Sequence, residues 1–351
     1  MSNQVPSATP GALHWRRLPK VLLHEHLDGG LRPQTLLDLC RVRGLALPAG
    51  DARGLAAWML ANAHSGSLER YLQGFALTVA AMASLAACER VAFEAAEDAR
   101  LDGCVLAEFR IAPLLLEPFG LPGEAVLEAL LAGLRRSGLS CGLIVCAMRT
   151  DDPLHTARSA RLAARYAGRG VIGFDLAGAE RGFPPGAHAR AFALARDAGL
   201  GLTCHAGEAD HGERVLEAAA LGATRIGHGV AVVAGAGRQR RWVERSRELG
   251  LHFEVCPTSN VHTGAAASLA THPIKAMLEA GLSVSCSTDN RLLSGVTLSD
   301  ECAALHEQTG LSPAQLVQTM HAAAAASFMP APARDAARAA LARWQADPAA
   351  G

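Results

Sequence analysis

A repeated alternation narrows the folds open to this chain more than any other feature. Short runs rich in Val, Ile, Leu, Phe and Cys are separated by longer Ala/Leu/Arg/Glu segments with helical spacing. The apolar runs fall at residues 21–26, 104–111, 141–146, 171–175, 202–206, 224–228, 251–255 and 282–287. Most are continuous rather than alternating, as in parallel strands buried on both faces. Between them lie helical segments such as 122–136, 157–167, 188–199 and 213–221, several ending at or just before Gly, a helix C-terminal signal. The pattern predicts an α/β fold, a (β/α)8 TIM-type barrel.

Residues 27–103 separate the first two strands, far more than a single crossover needs. The surplus predicts extra helices after the first strand, forming a lid over the active face. Within it Leu68, Tyr71, Leu72 and Phe75 share one helical face by i, i+3, i+4, i+7 spacing. That face either packs on the core or forms an apolar flap over a pocket. No repeat, charge block or linker divides the chain. Its 351 residues therefore read as a single barrel domain, with a core over 18–330 between a flexible N-terminal arm and a C-terminal tail.

Composition excludes several function classes. Lys+Arg and Asp+Glu both number 33 and half the residues are hydrophobic, which rules out a disordered chain. The balance also argues against nucleic acid or an anionic membrane as partner, since either favours a basic excess. None of the nine cysteines forms a CxxC, so a zinc ribbon is not expected; they read as small core residues in a reducing compartment. The N-terminus lacks the apolar region of a signal peptide, and the stretch 74–88 is too short to span a bilayer. A cytoplasmic protein is expected.

Some motifs fail on context. The GxGxxG at 168–173 runs into a strand instead of opening a helix, and the GxSxG at 138–142 is a helix-to-strand connection, the reverse of a nucleophile elbow. The HxE pairs at 211–213 and 252–254 lack the PCxxC of the zinc cytidine-deaminase signature. No P-loop sequence occurs, which excludes phosphoryl transfer through one.

One constellation survives. His24 and His26 flank Glu25 at the end of the first strand, where residues two apart point the same way. His205 ends the fifth strand, with Glu208 three residues on; His228 ends the sixth, and Asp289 follows the eighth. All reach the C-terminal rim, where barrel enzymes do chemistry. Imidazoles with a carboxylate suit Zn²⁺, which lowers the pKa of a bound water to about 7. His228 and Asp289 are candidates to hold and deprotonate that water, and Glu208 is the candidate acid. These residues point to metal-assisted hydrolysis without naming a substrate.

With these residues assembled, the chain resembles the adenosine deaminase family of the amidohydrolase superfamily. The resemblance runs from Leu18 to about Pro330. It rests on LPKVLLHEHLDGGLRP (18–33), ACERVAFEAAEDA (87–99), AEFRIAP (107–113), FDLAGAERGFP (174–184), TCHAGE (203–208), RIGHGV (225–230), CPTSN (256–260) and STDN (287–290). It implies hydrolytic deamination of adenosine, and of 2′-deoxyadenosine, in purine nucleoside salvage, with one zinc per chain. Carried over by position, His24, His26, His205 and Asp289 look like zinc ligands, Glu208 like the proton donor to purine N1, and His228 like the group orienting the attacking water. The Gly178 amide resembles the donor to N3, Asp28 the partner of the ribose 5′-hydroxyl, and His26 also belongs with the substrate-contacting residues. The segment around Leu68, Tyr71, Leu72 and Phe75 looks like the family's hydrophobic gate.

The chain departs from the family at Asn290, where a second aspartate is common, and at Ser287. Purine N7 accepts, and an amide NH₂ donates without needing a proton, so Asn290 is a competent partner. Ala179 stands where the family often has an acid, with Glu180 next and no role assigned to it. The rival within the class is a deaminase of adenine or of an N6-modified or otherwise substituted adenosine. Outside it, a catalytically silent barrel would be expected to lack one of these residues. A binuclear hydrolase would usually need a bridging carboxylated lysine or equivalent at an intermediate strand, and no Lys lies in the apolar runs above.

Overall fold

The computed structural model describes residues 15–234 and 239–346. Parallel strands β1 (Lys20–His26), β2 (Cys104–Ile111), β3 (Cys141–Met148), β4 (Val171–Ala177), β5 (Gly201–Ala206), β6 (Arg225–His228), β7 (His252–Val255) and β8 (Ser283–Cys286) follow one another in sequence order. Their ends differ from the expected runs by no more than two residues. β8 returns to β1 through a bridge between Glu25 and Asp289. There the His26 N–H bonds the Asp289 carbonyl at 2.7 Å and the Asp289 N–H bonds the His24 carbonyl at 3.0 Å. The nearly closed (β/α)8 barrel has its seam at the residues the sequence assigns to a metal.

Between β1 and β2 lie helices α1 (Pro33–Arg43), α2 (Ala52–Ala63), α3 (Leu68–Gln73), α4 (Phe75–Ala81) and α5 (Leu85–Leu101). Side chains of Asp51, Ser67 and Ser84 accept backbone N–H groups at the starts of α2, α3 and α5. The single face read across residues 68–75 is interrupted. Gly74, a poor helix former, bonds back to the Tyr71 carbonyl, and α3 hands over to α4 there. Past residue 330, where the sequence reading ends the core, the chain forms another helix, Ala331–Ala346, whose Ala337 and Leu341 are buried. Most of the expected arm, residues 1–14, and the last five residues of the expected tail lie outside the described residues. Trp15 is buried, edge-on to His306. No helix among the described residues is long and apolar enough to cross a membrane.

Charge replaces part of the branched apolar filling expected inside such a barrel. Arg225 on β6 bonds Glu108 on the opposite strand β2 and Glu254 on β7, both at 2.6 Å. Arg110 on β2 bonds Asp175 on β4 at 2.9 Å and Glu254 at 2.5 Å. All five side chains are buried. A buried charge is tolerable only when paired, and here each has a partner; the network fixes side-chain orientation more than it adds stability.

Candidate metal centre and pocket

The ligand atoms of His24, His205, His228 and Asp289 all lie within 4.8 Å of one another. His26 adjoins them, its Nε2 3.3 Å from His205 Nε2 and 3.6 Å from Asp289 Oδ1. Nε2 of His24 is buried with no hydrogen-bond partner. Burial pushes the imidazoles of His26 and His228 well below their ordinary pKa, against the pull of Asp289, so both are neutral. Imidazoles converging on a carboxylate, with an unpartnered ring nitrogen among them, fit a metal ion.

Carboxylates behind the ring set its direction. His24 Nδ1 lies 2.8 Å from Glu254 Oε2, and His205 Nδ1 lies 3.0 Å from Asp175 Oδ2. Each carboxylate holds an Nδ1–H and leaves the Nε2 lone pair facing the centre. Arg110 grips both carboxylates at once. Asp289 Oδ2 accepts the Ser259 hydroxyl at 2.6 Å, and Oδ1 lies 3.4 Å from His24 Nε2. His228 and Asp289 are the two non-glycine residues with positive φ among those described, at 62° and 58°. That backbone costs ~1–2 kcal/mol per residue and is typical of functional sites.

Glu208 sits in the turn after β5, with Oε2 3.7 Å from His228 Nε2. Burial, helped by the charge of Asp289, pushes its carboxyl up to about 8, so it carries its proton at neutral pH. Burial works against the charge of Asp289 as well, but the imidazoles of His24, His228 and His26 close around it and hold its carboxyl well below the usual carboxylate range. Two neighbouring carboxyl groups are thus held in opposite protonation states, the arrangement that assigns acid and base in one site.

A cavity of about 410 Å³ opens on this centre. It is lined by every residue to which the sequence assigns a metal, catalytic, substrate or lid role except His24, which is fully buried. Asp28 Oδ1 and Glu208 Oε1 are buried without partners, and burial raises Asp28 to about 7. Unpaired buried polar atoms on a cavity wall mark where a ligand's polar groups would dock. Gly178 contributes a backbone with φ 95°, and a Cβ on Gly29 would lie 1.8 Å from Asn290 Oδ1. Among the described residues no Lys or Arg lines the cavity. Leu68 and Tyr71 are buried, whereas Leu72 and Phe75 are half-buried, with Phe75 edge-on to His26.

Several supporting residues escape the sequence reading. Glu180 accepts the backbone N–H groups of Gly207, Glu208, Ala209 and Asp210 at 2.5 to 3.1 Å, and so cradles the turn that presents Glu208. Glu25, fully buried on the other side of β1 from its histidine neighbours, accepts from Arg291 Nε at 2.6 Å and from the Thr288 hydroxyl at 3.0 Å. It thereby grips the residues on either side of Asp289–Asn290. Arg291 continues to the Gly30 carbonyl and to Asp98 on α5. The available signal was a charged residue inside a continuous apolar strand, as at Arg110, Asp175 and Glu254, since such a charge must have a buried partner.

Comparison with known proteins agrees with this geometry. The adenosine deaminase family model matches residues 19–344. Adenosine deaminase of Mycobacterium ulcerans is 43% identical over 316 residues, covering 84% of this chain and 86% of that protein. That of Mycobacterium tuberculosis H37Rv is 42% identical over 345 residues, covering 92% and 93%. Among solved structures, a Burkholderia ambifaria cog1816 amidohydrolase with bound Zn superposes with a TM-score of 0.86 at 25% identity, covering 96% of this chain and 93% of that one. Adenine deaminase from Arthrobacter aurescens superposes with a TM-score of 0.83 at 25% identity, covering 94% and 100%.

Proposed function

The chain belongs to the adenosine deaminase family, and from that premise we propose that it hydrolyses adenosine and 2′-deoxyadenosine to inosine and deoxyinosine plus ammonia. The setting is purine nucleoside salvage in the cytoplasm, with one zinc ion per chain. The observation that carries the reading is the convergence of the imidazoles and Asp289 on one cavity with Glu208, whose carboxyl burial raises to about 8.

Zinc held by His24, His26, His205 and Asp289 would acidify the attacking water. Glu208 gives its proton to purine N1, which makes C6 electrophilic. Asp289 takes a proton from the water as its oxygen bonds to C6, and His228 orients that water. The proton on Asp289 then passes to the exocyclic nitrogen, the C6–N bond breaks and ammonia departs. The proton of the new C6 hydroxyl returns to Glu208 as the carbonyl forms. One water enters, one ammonia leaves, and both carboxyl groups regain their starting states.

Gly178 N–H donates to N3, the Asn290 amide donates to N7, and Asp28 takes the ribose 5′-hydroxyl, with His26 beside the sugar. Adenine alone would leave Asp28 Oδ1 buried and unpartnered, a cost a nucleoside avoids. A 5′-phosphate would meet the Asp28 carboxyl with no Lys or Arg among the described lining residues to offset it, which disfavours AMP. Leu68, Tyr71, Leu72 and Phe75 form the lid over the purine. The test is a panel of adenosine, deoxyadenosine, adenine, AMP and N6-methyl nucleosides, followed by ammonia or methylamine release with metal content measured alongside. Adenosine and deoxyadenosine should be consumed fastest by zinc-loaded protein; turnover of adenine alone would defeat the nucleoside reading.

A further inference from the structure

His228 can carry its single proton on either ring nitrogen, and the two forms do opposite things to a water beside Nε2. With Nε2 protonated, the ring donates to the water oxygen. With Nε2 bare, it takes a proton from the water. A chain of hydrogen bonds behind the ring decides between them.

The chain begins at the backbone N–H of Ile274, which opens the helix Ile274–Glu279 and lies 3.1 Å from His272 Nδ1. A backbone N–H only donates, so His272 Nδ1 accepts. His272 is buried, which pushes its pKa down to about 4 and keeps the ring neutral, so its one proton is on Nε2. That Nε2 lies 3.3 Å from Asn260 Oδ1, to which it donates. The other end of the amide is thereby turned to His228, with Asn260 Nδ2 3.0 Å from His228 Nδ1. An amide nitrogen only donates, so Nδ1 of His228 accepts and its proton sits on Nε2. Flipping the amide would set N–H against N–H at His272.

His24 and His205 have carboxylates at Nδ1 and take the reverse form, with Nε2 lone pairs free to bind metal. We infer that Asn260 and His272 are positioning residues that fix His228 in its Nε2–H form, so that His228 donates to the attacking water and leaves the water's proton to Asp289. Neither residue lines the cavity, so both act through the ring. The inference deepens the proposed deaminase reading and rests on it.

The decisive measurement is the ¹⁵N imidazole spectrum of the metal-loaded wild-type protein, with His228 assigned by the signal lost in His228→Gln. A protonated Nε2 and a bare Nδ1 are expected; the opposite pattern overturns the inference. Asn260→Asp supplies the kinetic arm, because a carboxylate at that site can only accept and draws the proton to Nδ1. Its kcat should fall at least ~100-fold, the scale of a misplaced catalytic proton. KM should stay within about threefold and the metal content should not change. Wild-type kcat in folded Asn260→Asp would also overturn it. If that variant does not fold, the wild-type spectrum still decides. Wild-type protein inactive across the nucleoside panel would instead defeat the functional reading, while the spectrum would still report the tautomer.

Discussion

Glu208 and Asp289 show how little of a residue's chemistry is intrinsic to it. Both are buried carboxyl groups near the same imidazoles, yet one keeps its proton and the other does not. Replacing Glu208 by Gln preserves shape and removes the proton that can be given to N1. We expect kcat to drop by roughly 10²–10⁴, the usual worth of a general acid. Zinc content, measured by atomic absorption on the same sample, should stay at the wild-type level; wild-type turnover would remove Glu208 from the acid role. The histidines and Asp289 were legible in the sequence because strand ends gather on one rim and few side chains bind metal. Glu180 and Asn260 were not. The first acts on backbone amides and the second through another side chain, and neither leaves a spacing that a linear sequence displays.

The seam and the helices after β7 depend on buried carboxyl groups for their placement. Glu301, on the helix Leu298–Ala304, accepts the Thr258 N–H at 3.1 Å and so anchors the helix Pro257–His262, which carries Ser259 and Asn260. Burial raises its carboxyl from 4.5 to about 8. In that interval the unfolded chain has released the proton and the folded protein still holds it, so stability falls as pH rises from about 4.5 to about 8 and then levels. Glu301→Gln cannot ionise. Denaturant unfolding across this range should therefore show the variant gaining on wild type by up to ~1.4 kcal/mol per pH unit. A constant difference between the two proteins would show that Glu301 does not titrate there. Helix positions and the long insertion after β1 were visible from apolar spacing and caps. The break at Gly74 is hidden in the sequence by four apolar residues at helical spacing, a periodicity that one glycine does not disturb.

The barrel as a whole was readable because short apolar runs, most of them continuous, recur eight times between helical segments. Its charged interior was not, since pairing partners on opposite strands lie far apart in sequence. A metal that binds the folded protein alone should add stability to all of it, ~4 kcal/mol when present at a thousand times its dissociation constant. Removal by a chelator should lower Tm by on the order of 5 °C or more, and added zinc should restore it. An unchanged melting curve with demonstrated metal loss would separate the site from the fold. The seam gives that coupling a direction in time. Its hydrogen bonds join His24 and His26 to Asp289, residues from opposite ends of the chain, so closure is among the most non-local contacts the molecule makes. Such contacts bear the largest loop-closure entropy and form slowly. During synthesis the ring of candidate ligands has no complete form until β8 has been made. The candidate centre is therefore assembled only once the chain has passed β8, and a barrel truncated before that strand lacks Asp289.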